Sequence, residues 1–168
     1  MIQRVYLEQI KTRINEPRRF IQVLVGTRQV GKTTLITQLL EQISIEYISV
    51  SADAVLISNS SWMEQTWETA RLKLKTTQSS ELLLVIDEVQ KIGNWSEFVK
   101  QQWDKDTREG RTIKVILLGS SRLLIQKGLT ESLAGRLELM HINHWTFTEM
   151  EAAFGWNIEQ YIYFGAYP

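Results

Sequence analysis

The chain has 168 residues, 43% of them hydrophobic and 23% charged, and its 19 basic and 19 acidic side chains cancel. That length is one domain's worth and can bury roughly 70% of its unfolded surface. Zero net charge gives no general pull toward nucleic acid or anionic membrane, the lack of cysteine excludes disulfides and thiolate-bound zinc, and no apolar run approaches the ~20 residues of a membrane span.

In chain order, residues 2–15 place apolar and charged side chains at helical spacing and predict a helix ending before Pro17. Residues 19–26, RFIQVLVG, predict a buried strand. A helix over 32–43 and a strand over 45–51 follow. Residues 60–77 predict a helix with Trp62, Thr66, Ala70 and Lys73 on one row. Residues 81–89, ELLLVIDEV, hardly alternate, as expected of a strand covered on both faces. A helix over 94–109 carries Trp95, Phe98, Val99 and Trp103 on one stripe. Strands over 112–120 and 137–142 complete the set. Such alternation predicts an α/β fold, a mainly parallel sheet between helices. Right-handed crossovers then bring every strand's C-terminal end to one edge, where ligands bind.

The first strand runs into GTRQVGKTT, in which Gly26, Gly31, Lys32 and Thr33 fit the phosphate-binding P-loop spacing at every defined position. The glycines let backbone N–H groups of the loop, including Thr27, Gln29 and Val30, approach phosphate oxygens. The following helix offers its free donors and positive dipole end. Lys32 is placed to reach the β- and γ-phosphates of ATP or ADP, Thr33 to offer a hydroxyl to Mg²⁺, and Thr34 to complete the cradle. Arg28 is a candidate to lie over the nucleotide. The competing reading is a strand-to-helix turn.

Asp87 and Glu88 end the apolar run LLLVID. A buried strand carries acids only for a reason. Asp87 is the candidate magnesium holder and Glu88 the candidate base that polarises the attacking water. The alternative is a solvent-facing strand end. At the tip of the fourth strand, Ser120 or Ser121 is placed either to hold water or γ-phosphate, or to cap a helix over 122–128. Arg136, after a glycine and before the fifth strand, is either a structural arginine or one that reaches a neighbouring subunit's γ-phosphate. His141 and His144 have no ligand cluster at metal spacing. Arg18 and Arg19 read as a solvated basic pair, and Trp62, Trp67, Trp95 and Trp103 as core or interface.

With GTRQVGKTTL, LLLVIDEVQK, ILLGSS and SLAGR in this order, the chain resembles the predicted AAA-type ATPases of bacteria and archaea, part of the wider AAA+ class. HWTFTEMEAAFG and YFGAYP resemble that family's later segments. The resemblance implies sheet order 5-1-4-3-2, Lys32 and Thr33 as Walker A residues, Asp87 and Glu88 as the Walker B pair, Ser120 or Ser121 as the sensor and Arg136 as an arginine finger. It implies one core over 1–168: an N-terminal helix over 1–16, the α/β core over 20–142, and over 143–168 the truncated start of a helical lid. A C-terminal domain or protein partner would take up the motion and homo-oligomers would form through Arg136; the lack of cysteine, separately, fits a reducing, cytoplasmic setting. The expected activity is Mg-dependent ATP hydrolysis driving a conformational change. A slow-turnover nucleotide switch, a small-molecule kinase and a DNA-associated ATPase are the alternatives, the last without support from charge.

Overall fold

The sheet has five strands, all parallel, in the order β2-β3-β4-β1-β5. This is the order the resemblance implied. A computed structural model describes residues 4–55, 60–120 and 132–166 of the chain. The strands are β1 (Ile21–Val25), β2 (Glu46–Ser51), β3 (Leu82–Asp87), β4 (Ile113–Gly119) and β5 (Leu137–His141). The helices are α1 (Val5–Asn15), α2 (Lys32–Leu40), α3 (Ser60–Thr76), α4 (Trp95–Arg108), α5 (Phe147–Phe154) and α6 (Ile158–Phe164). Ser121 and the helix expected over 122–128 lie outside the described residues.

The apolar runs of the central strands are continuous because each face has its own core. Ile21, Val23 and Val25 of β1 join Leu82, Leu84 and Ile86 of β3 on the face covered by α3 and α4. Leu24, Leu83, Val85, Ile116 and Leu118 point the other way, toward α1 and α2. β2 lies at the edge and is only half covered: Ile48 and Val50 touch the core while Tyr47 is exposed.

Helix α3 forms as expected, and its row of Trp62, Thr66, Ala70 and Lys73 runs along the border of the face it buries. Its buried face is Met63, Thr66, Trp67, Ala70 and Arg71, whereas Trp62 is half-buried and Lys73 pairs with Glu46 at the rim. Arg71 lies inside through a polar contact that spacing cannot reveal. Trp67 Nε1 donates to Asp106 of α4 at 2.9 Å, and Arg71 Nε donates to the same carboxylate at 2.8 Å. The expected stripe on α4 holds, with Trp95, Val99 and Trp103 buried and Phe98 packed beside them.

Arg18 is not on a solvated face. Its guanidinium donates to the carbonyls of Trp103 and Ile113 at 2.9 and 2.8 Å and lies 3.4 Å from the Trp103 ring centroid. It ties the entrance of β1 to helix α4 and to the first residue of β4. Burial lowers the Arg18 pKa, against the pull of Asp106 and Asp104. Arg19 is exposed, as expected.

Candidate functional site

Parallel strands put the C-terminal ends of β1, β3 and β4 side by side, and the loop Gly26–Gly31 leaves that edge to start α2. Gly31 caps the helix with φ 87°, the left-handed region that glycine enters without strain. Gly26 is required for another reason. A Cβ there would lie 2.4 Å from the backbone oxygen of Ile142, just past β5.

Lys32 is buried at the first position of α2, and its ammonium donates to the carbonyls of Gly26 and Thr27 at 2.9 and 2.7 Å. The cation thus sits inside the curl of the loop. Burial lowers its pKa, and the nearby Glu88 and Asp87 oppose that shift. The Thr33 hydroxyl donates to Asp87 Oδ2 at 2.9 Å. Asp87 Oδ1 accepts the Glu88 N–H at 2.8 Å. A hydroxyl and a carboxylate from elements 54 residues apart are therefore neighbours. This all-oxygen set fits magnesium, which takes one or two carboxylates and completes its shell with water and phosphate oxygens. Among the described residues, no group of three His, Cys, Asp or Glu side chains offers a full protein cage.

Glu88 adopts φ 54°, ψ 36°, costly for a residue with a side chain. Its Oε2 accepts the Ser120 hydroxyl at 2.7 Å. Lys32, Thr33, Thr34, Arg28, Gln29 and Glu88 line one cavity of about 670 Å³, whose rim is the ion pair of Asp53 with Lys91. The Asp53 carboxyl is held below its usual range by the hydrogen bond and charge of Lys91, with Arg28 adding to it. The Val30 side chain is buried in the core and its carbonyl accepts from Arg4 Nη1 at 2.9 Å. The Thr27 hydroxyl lies 3.1 Å from His144 Nε2.

Arg136 stands apart from this cluster. It precedes β5 at the opposite edge of the sheet, where its carbonyl accepts from Ile21 N and its guanidinium grips Asp104 of α4 at 2.8 and 3.0 Å. That hydrogen-bonded pairing raises the Arg136 pKa and lowers that of Asp104. From there it does not reach the cavity of its own chain.

Four residues at or beside the cavity escaped the motif reading: Arg4, Asp53, Gln90 and Lys91. Arg4 is 5% exposed. It donates to Val30 O at 2.9 Å, to Asn143 O at 3.0 Å and to both oxygens of Glu149, and stacks near Tyr6 and Trp145. Nothing in its spacing signals this, since its partners lie 26 to 145 residues away. Lys91 and Gln90 carried a weak signal, because both follow Glu88 in DEVQK.

A family model described as an AAA domain matches residues 18–151. No protein of curated function matches the chain.

Proposed function

Because the chain belongs to the AAA-domain family, we propose that it binds ATP with magnesium, hydrolyses it with water, and passes the resulting change of shape to a partner or an attached domain. The observation that carries this reading is the Thr33–Asp87 contact, with Lys32 inside the loop and Glu88 next in sequence to Asp87. A phosphate chain along the loop meets the Lys32 ammonium, which exchanges its two carbonyl partners for phosphate oxygens. Magnesium supplies charge neutralisation for the β- and γ-phosphates, and Thr33 and Asp87 are the residues that would hold it. Glu88 takes one proton from the attacking water as the bond to the ADP oxygen breaks. Ser120 keeps the Glu88 carboxylate in place by donating to Oε2.

A second reading, a switch that turns over slowly, draws support from Arg136. Its charge is spent on Asp104 and lies far from the cavity of its own chain. Fast turnover would then need a neighbouring copy to supply an arginine in trans, with Arg136 released from Asp104.

Two measurements test the proposal. Mg-ATP at about 100 times its Kd adds about 2.7 kcal/mol to stability, a Tm rise of roughly 5–10 °C for a chain of this size. Lys32→Ala abolishes that rise, and an undiminished rise in the variant refutes the cradle. Glu88→Gln lowers single-turnover hydrolysis by on the order of 10²–10⁴-fold. A wild-type chain that binds Mg-ATP yet releases almost no phosphate supports the switch.

A further inference from the structure

One polar group beside Glu88 has no part in the reading above. Gln90 lies in the single 3-10 turn Val89–Lys91, two residues past Glu88. Its amide nitrogen donates to Glu88 Oε2 at 2.6 Å and to Ser120 Oγ at 2.9 Å. The Ser120 hydroxyl donates to the same Glu88 oxygen at 2.7 Å. Three side chains therefore close a ring, and each bond polarises the next.

The ring fixes the sense of the amide. Turned over, Gln90 would set its oxygen against the carboxylate, acceptor against acceptor. In the observed sense Gln90 Oε1 is buried and has no partner among the described residues. A buried acceptor left unpaired is unfavourable. The chain tolerates it while keeping the nitrogen on Glu88. The backbone adds a second constraint, because Glu88 itself is left-handed. Torsion and hydrogen bonds thus hold one carboxylate from both ends.

Both donors fall on Oε2, which leaves Oε1 to take a proton. We infer that Gln90 is a positioning residue for hydrolysis: with Ser120 it pins Glu88 Oε2, so that Oε1 is the oxygen that accepts the proton of the attacking water. The inference rests on the ATPase reading. It gives Gln90 an effect on the chemical step and none on nucleotide binding, because Gln90 donates to the base and is absent from the lining of the cavity.

The test compares wild type, Gln90→Leu, Glu88→Gln and the double variant by single-turnover hydrolysis and by Mg-ATP affinity. Displacing a base by about 1 Å costs roughly 10²-fold, so Gln90→Leu should slow hydrolysis 10- to 100-fold with Kd within about twofold of wild type. In the Glu88→Gln background, Gln90→Leu should add no further loss, because the residue acts through the carboxylate. If Gln90→Leu fails to fold, Gln90→Asn, whose shorter amide cannot span to Glu88, takes its place with the same expectation. A wild-type rate in the Gln90 variant beside a slow Glu88→Gln overturns the inference alone. An equal loss in both backgrounds also overturns it and assigns Gln90 a merely structural role. A wild-type rate in Glu88→Gln overturns the base assignment, and the inference falls with it.

Discussion

Arg4→Ala removes the side chain that joins the start of α1, the phosphate-binding loop, the segment after β5 and α5. Breaking a buried charge pair from one side costs about 3–5 kcal/mol, mostly for the charge left behind. Here the abandoned charge is Glu149, which is 21% exposed and keeps its bonds to the Thr146 N–H and hydroxyl. That puts the cost at the lower end of the range, about 3 kcal/mol. The Val30 carbonyl loses the Arg4 guanidinium as well, at up to about 1 kcal/mol more if water reaches it. At about 2–4 °C per kcal/mol for this chain length, Tm should fall by roughly 6–16 °C in thermal unfolding followed by circular dichroism. Mg-ATP affinity should weaken too, since the loop loses an anchor. The double variant Arg4→Ala/Glu149→Ala should lose less than the two single changes summed. The effect also has a pH signature. Burial by itself would raise the Glu149 carboxyl, but the hydrogen bonds from Arg4 and Thr146 outweigh it and hold the group below its usual range. The pair's contribution is therefore full above the unfolded value of about 4.3 and is lost as pH falls through the lower folded value. The gap between wild type and Arg4→Ala should narrow in that acid window. A Tm drop under about 3 °C at neutral pH, or a gap that widens in acid, refutes this account.

Gly26→Ala would force a Cβ to 2.4 Å from the Ile142 oxygen and 3.1 Å from Val30 Cγ2. Overpacking of this kind costs about 1–3 kcal/mol, so both Tm and Mg-ATP affinity should drop, and a variant matching wild type in both removes the close-approach argument. Arg136→Ala breaks a pair in which each side chain is 33% exposed, so its stability cost should stay under about 1 kcal/mol. Turnover should nevertheless fall while affinity holds, most visibly at high protein concentration; equal turnover at every concentration excludes a role in a neighbour's site.

The fold was legible because burial on both faces leaves a plain mark. Runs such as LLLVID and KVILLG read as strands covered on both faces, whereas the strand order came from the resemblance, since right-handed crossovers alone allow many orders. Lys32 and Thr33 could be proposed because phosphate binding asks for those groups at fixed offsets, and Asp87 and Glu88 because acids end a buried strand; the structure puts Thr33 beside Asp87. Arg4 and Gln90 were not legible. Arg4 works through bonds to backbone carbonyls and to a carboxylate 145 residues on, and carbonyls have no sequence identity. Gln90 bonds to Ser120, 30 residues away just past β4, as well as to Glu88. The inward side of Arg71 was hidden for the same kind of reason: with Trp67 it reaches a buried aspartate on α4.

The contact between Gly26 and Ile142 has a mechanical consequence. Ile142 also donates its N–H to Val25 O at 2.7 Å, so both backbones are joined where the loop leaves β1. Three residues later, the Trp145 carbonyl accepts the Tyr161 hydroxyl of α6, and its ring packs on Phe154 of α5. The loop and helices α5 and α6 are therefore joined through one short segment, Ile142–Trp145. A side chain at Gly26 would therefore press on the same segment that anchors both helices, its Cβ lying 2.4 Å from the Ile142 oxygen.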